Sequence, residues 1–186
     1  MDDPDTSKPQ MAPNPQMKKD DVPDEMAHPD EMAHIVKLEL ELDPKRRISS
    51  AQEHERAVAI FDLLDENHFK LLKKAGPYHL YLRTDQRHIH FDIRNIQDEV
   101  LANFFMALGP LRRIMRDYFQ VCDSYYDAIR TKSPSQIQAI DMGRRALHNE
   151  GSEVLQERLS NHATIDHATA RRLFTLVCVL TSKDKS

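Results

Sequence analysis

The chain has 186 residues, of which 30% are charged, and a net charge of −4. That balance is far from the strongly basic one of a nucleic-acid binder, so a nucleic-acid partner is not expected. No stretch reaches the roughly 18 apolar residues that span a bilayer, and no apolar segment follows the first methionine, so no membrane partner and a cytoplasmic location are expected.

The first 33 residues hold six of the ten prolines and no aromatic residue. They carry nine Asp and Glu against three Lys, a net −6 that leaves about +2 for the rest of the chain. The expectation is a disordered acidic, proline-rich tail over 1–33, followed by a single α+β domain over 34–186. Inside the tail PDEMAH occurs twice in tandem. Its Met26, His28, Met32 and His34 are soft-metal donors without fixed geometry, and the repeat reads as a low-complexity linker.

From Ile35 to Leu42 apolar residues alternate with Lys37, Glu39 and Glu41, the pattern of a half-buried strand, which stops at Asp43-Pro44. Ser50 and Glu53 stand in capping-box spacing before Ala57, Val58, Ile60, Phe61, Leu63 and Leu64, which predicts an amphipathic helix to about Asn67. After Gly76-Pro77, residues 78–82 and 88–94 alternate and are joined by 83–87, a hairpin with Ile89, Phe91 and Ile93 facing inward. Residues 100–108 are apolar enough for a further strand, which is the expectation, while their length and lack of β-branching also fit a helix.

Pro110 opens a helix whose Leu111, Ile114, Met115, Tyr118, Phe119, Cys122, Tyr125, Tyr126 and Ile129 share one face, which reads as core or core edge. Ser133, Pro134 and Gln136 give the start of a long helix to Leu159, with room for a kink near Gly151. Along it Gly143, Leu147 and Gly151 form a stripe with little side-chain bulk, a groove for another helix. Asp166 caps a last helix whose 173–180 segment is apolar on all sides and therefore central. The fold class is α+β: a small, mostly antiparallel sheet in β-α-β-β-β order, followed by a three-helix half.

The strings EHERAVAIFDLLDEN (53–67), FDIR (91–94), DYFQVCDSYYDAIR (117–130), SPSQIQAIDMGRRALHNEG (133–151) and TARRLFTLVCVL (169–180) resemble an uncharacterised bacterial protein family of the UPF series over about residues 35–181. The resemblance implies no activity. The tail and the histidines of His88-Ile89-His90 lie outside it.

No glycine-rich phosphate loop, nucleophile elbow or metal-ligand quartet is present, and no cofactor is expected. Cys122 and Cys178 are far apart among apolar neighbours, as buried thiols rather than a disulfide framework. On the long helix Asp141, Arg144 and His148 fall within an arc of about 60° at roughly 100° per residue, with Arg145 and Glu150 adjacent. This is the spacing of an ion-pair network or of a small pocket in which His148 shuttles a proton, Asp141 or Glu150 assists and Arg144 holds an anion. Arg112 and Arg116, on the polar side of the preceding helix, would enlarge an anion site if they faced Arg144 or Arg145, whereas pairing such as Arg113 with Asp117 would leave a solvated face.

His88, His90 and Asp92 share one side of a strand, a spacing that brings two imidazoles to one metal ion. No further ligand is marked elsewhere, so no metal centre is assigned. The leading expectation is an interaction or regulatory protein with an Arg/His surface for an anionic group or a protein partner. The rival is an enzyme acting on a small phosphorylated or carboxylated substrate through Asp141, Arg144, His148 and Glu150.

Overall fold

The computed structural model describes residues 32–41 and 50–182. The tail with its PDEMAH repeat up to residue 31, and the Asp43-Pro44 stop, lie outside those residues. In chain order the elements are β1 (Ile35–Glu41), α1 (Ser50–Asp65), β2 (Phe69–Leu71), β3 (Tyr78–Thr84), β4 (His88–Arg94), β5 (Val100–Ala107), α2 (Gly109–Thr131), α3 (Pro134–Leu159), β6 (Ala163–Ile165) and α4 (His167–Thr181).

β1, β3, β4 and β5 lie side by side in that order, with β1 parallel to β3 and the other two pairings antiparallel. The crossover from β1 to β3 runs through α1, as a parallel pair requires. Asn67 just beyond α1 locks this unit: its Oδ1 accepts the Ile35 amide at 2.7 Å, while its Nδ2 donates to the carbonyls of Ile35 (3.0 Å) and Leu63 (2.8 Å). Within α1 both oxygens of Glu53 hold Arg56.

Alternation gives the sheet two unlike faces. Ile35, Leu38, Tyr78, Leu80, Leu82, Ile89, Phe91 and Ile93 point inward and form one core with α1, α2, α3 and α4. Each large apolar side chain so enclosed contributes roughly 1.5–3 kcal/mol. The outward residues pair across the strands in rows: Lys37, His79 and Arg94; then Glu39, Tyr81, Asp92 and Asn103; then Glu41, Arg83, His90 and Phe105.

α4 is the central helix, buried from Thr169 to Leu180 on nearly every side and capped by Asp166, whose carboxylate accepts the Thr169 amide at 2.8 Å. α3 starts as its sequence predicts, with the Ser133 amide donating to Gln136 Oε1 at 3.1 Å, and it runs unbroken through Gly151. The glycine stripe is filled at one end only. A Cβ on Gly151 would meet the ring of Phe174, so α4 occupies that half of the groove, whereas nothing lies within 4 Å of one on Gly143.

Two strands were absent from the sequence reading. β2 and β6 are antiparallel, pairing Phe69 with Ile165 and Leu71 with Ala163. The hairpin connection is also shorter than 83–87, because Arg83 and Thr84 still pair with His90 and Ile89.

Candidate functional site

The Asp141 carboxylate accepts from Arg144 through Nε (3.0 Å) and Nη2 (2.7 Å) on one oxygen, and from Arg145 Nε (2.8 Å) on the other. The Arg144 bonds hold Asp141 below the usual carboxylate range. Arg144 also lies over the Tyr125 ring, 5.7 Å from its centroid, so α2 and α3 are joined there by a cation–π contact.

Deeper between α2, α3 and α4, His148 is 8% exposed and packs edge-on against Phe174 and Tyr118, with centroids 5.2 and 5.5 Å away. Its Nε2 is 3.0 Å from Thr175 Oγ1, and its Nδ1 is buried without a hydrogen-bond partner among the described residues. Burial, then the charges of Arg171 and Arg144, push the His148 pKa down to about 4, which keeps the imidazole neutral near pH 7.

Burial raises the pKa of the Tyr118 phenol and of the thiols of half-buried Cys122 and buried Cys178. Neither thiol has the lowered pKa of a reactive nucleophile. Farther out on α2, Tyr126 and Ile129 are 57% and 53% exposed, although their helical phase reads as core. Ala128 between them is buried, so the end of α2 is still covered on one side while Tyr126, which interacts with Glu55 of α1, and Ile129 remain largely exposed.

The remaining sequence-predicted residues do not join this group. Glu150 lies 3.6 Å from Arg113, on the other flank of the α2–α3 pair. Arg116 pairs with its neighbour Asp117 at 3.2 Å, and Arg112 donates to the Gln86 carbonyl in the β3–β4 turn. The expected Arg113–Asp117 pair is replaced by these contacts. One cleft of about 350 Å³ is bounded by Phe104–Ala107, Glu157–Leu159, Asn161 and His162, and another of about 420 Å³ by His68, Lys70–Leu72 and Thr164; neither contains Asp141, Arg144, His148 or Glu150.

The outward sheet face carries a second concentration of polar side chains. Asp98, at φ 62°, accepts from the Tyr81 hydroxyl at 3.0 Å and lies 2.7 Å from His79 Nδ1, while Lys37 donates to the same hydroxyl at 2.9 Å. Arg94 lies over the Tyr81 ring and donates to Asp92 Oδ2 at 2.6 Å, so Asp92 does not serve His88 and His90. The carboxylate beside those histidines belongs to Asp85 in the turn, 2.8 Å from His90 Nε2 and 3.5 Å from His88 Nδ1. Sequence reasoning missed Asp85, and the available signal was an Asp three residues ahead of His88 in a hairpin turn.

Fold and sites together define a small α+β protein with a one-sided sheet and a helical half in which Arg144 and Tyr125 lie outside a buried His148. No helix among the described residues is long and apolar enough to cross a membrane. Residues 32–183 match the uncharacterised protein family UPF0262, and the chain belongs to that family. It is 56% identical over 128 residues to the UPF0262 protein of Rhodospirillum rubrum, covering 69% of this chain and 80% of the relative. It is 52% and 51% identical over 146 residues to those of Brucella canis and Mesorhizobium japonicum, covering 77% of this chain and 91% of each relative. No solved structure matches the chain.

Proposed function

We propose that this is a cytoplasmic interaction or regulatory protein, formed by one α+β domain after an acidic tail, which recognises a protein partner through the α2–α3 face bearing Tyr125, Tyr126, Ile129, Arg144 and Arg145. The observation that carries this reading is the exposure of Tyr126 and Ile129 beside the Arg144–Tyr125 contact. Tyrosine and arginine around an apolar centre are the side chains that concentrate binding energy in protein interfaces. Asp141 already holds both Arg144 and Arg145, so a small anion would have to compete with its carboxylate for their donors, whereas a protein surface could bind over the whole group. Arg112 and Arg116 take no part, since their contacts lie elsewhere.

The test is quantitative co-purification with the full-length chain in its native bacterium, comparing the wild type with Tyr126→Ala/Ile129→Ser/Arg145→Glu. A partner retained stoichiometrically by the wild type and lost by the variant supports the reading; identical partner sets contradict it.

One observation bears on the enzymatic alternative, in which His148, Asp141 and Arg144 act on a small phosphorylated or carboxylated molecule, with Glu150 as a further candidate acid/base group. The His148 Nε2 lies beside the Thr175 hydroxyl while its Nδ1 has no partner among the described residues, a buried nitrogen open to a proton, although a pKa of about 4 makes it a weak base. A thermal-shift hit among small anions that vanishes in His148→Gln would move the assignment to that chemistry.

A further inference from the structure

The β3–β4 hairpin brings two imidazoles and a carboxylate together at the end of the open sheet face. His88 and His90 are two apart on β4 and so project from the same side. Asp85 is fixed by the turn: its amide donates to the His88 carbonyl at 3.0 Å, and its Oδ1 accepts the amides of Arg87 and His88 at 2.6 and 2.7 Å. That leaves Oδ2 directed at His90 Nε2. Phe105 on β5 packs edge-on against His88, with centroids 4.9 Å apart, and lies 6.0 Å from His90, so both rings are backed by a neighbouring strand. One ligand atom from each of Asp85, His88 and His90 lies within 4.8 Å of the other two. Donor atoms around one tetrahedral zinc ion stand about 3.3 Å apart, so small side-chain rotations close the set.

We propose that Asp85, His88 and His90 form a site for a divalent transition-metal ion of the zinc, cobalt or nickel type. Asp85 Oδ2, His88 Nδ1 and His90 Nε2 supply one face of its coordination shell, and solvent or a bound molecule supplies the rest. Two imidazoles and one carboxylate suit these ions and not magnesium or calcium, which prefer all-oxygen shells.

Arg83 competes with the metal for His90. Its Nη2 lies 3.3 Å from His90 Nδ1, and a guanidinium only donates, so Nδ1 accepts and the His90 proton sits on Nε2, directed at Asp85. Metal entry requires that proton to leave Nε2 and Nδ1 to take one up, with no net change in protons on a neutral ring. Exposed Arg83 then turns away into solvent. The site is therefore weaker with Arg83 present than without it.

The test is Co²⁺ titration of the full-length chain, followed by visible absorption and calorimetry. Because the PDEMAH repeat has its own histidines, wild type is compared with His88→Ala/His90→Ala and with His28→Ala/His34→Ala, folding of each being checked by circular dichroism. The expected result is one equivalent bound with nitrogen-ligand visible bands. Affinity falls tenfold or more in His88→Ala/His90→Ala and is unchanged in His28→Ala/His34→Ala. Asp85→Asn keeps the turn's acceptor but loses the charge, and also weakens binding, whereas Arg83→Gln tightens it. The proposal is overturned if wild type binds neither Co²⁺ nor Zn²⁺ more tightly than about 100 μM, or if binding survives His88→Ala/His90→Ala in the folded variant.

Discussion

Gly151 of α3 lies directly against the Phe174 ring of α4: a Cβ on Gly151 would sit 2.2 Å from Cζ and 2.3 Å from Cε2. The two helices can approach this closely only because one residue lacks a side chain, and the contact places His148, one turn earlier, against the same ring. The sequence stripe joined Gly151 to Gly143, yet only Gly151 meets a neighbour. Gly151→Ala should therefore cost about 1–3 kcal/mol through forced repacking. Gly143→Ala should stabilise by up to about 1 kcal/mol by removing an unfavourable helix residue in open space. Urea unfolding of both variants separates the two, since a groove filled along its whole length would make both destabilising.

His148 should make stability depend on pH. Its pKa is near 6.5 in the unfolded chain and about 4 when folded, so the unfolded state takes up the proton first as pH falls. The native state loses stability between about pH 6.5 and 4 and keeps its full value above that window. The contribution is of the order of 3 kcal/mol. Denaturant unfolding at pH 7.5 and 4.5 should show a smaller loss for His148→Gln than for the wild type; an equal loss would mean that His148 titrates normally in the folded protein.

Asn67 joins the end of α1 to the first strand with three hydrogen bonds, two of them to the backbone of fully buried Ile35. Asn67→Ala leaves a buried amide and carbonyl unpaired and should cost about 2–3 kcal/mol. Asn67→Asp should cost a similar amount, because a carboxylate cannot donate to the two carbonyls. Thermal unfolding within 1 °C of the wild type for both would contradict this role.

Much of the fold was legible in the sequence because its long elements are strongly periodic. The alternation of His88–Arg94, the capping signals at Ser133 and Asp166 and the all-round apolar α4 each correspond to an observed element. β2 and β6 were not legible: three residues cannot display a period, and their pairing spans about 94 positions of sequence, held by the burial of Phe69, Leu71, Ala163 and Ile165.

The sites were legible only as local spacings. Asp141 and Arg144 meet as their separation on one helix requires. Whether Glu150 joins His148 or Arg113, or Arg112 faces Arg144 or the β3–β4 turn, depends on how the helices pack, which spacing does not encode. The exposure of Tyr126 and Ile129 was hidden for the same reason, since helical phase shows which residues share a face and not what covers it.

The recognition surface on α2 is the central claim, and site-specific photo-crosslinking in living cells tests it most directly. A photoreactive residue is placed at Tyr126, at Ile129 or, as a control, at Ile96, which is 54% exposed between β4 and β5. Discrete crosslinked partners from positions 126 and 129 and none from 96 are predicted. Crosslinks at 96 alone, or the same products from all three positions, would contradict the claim.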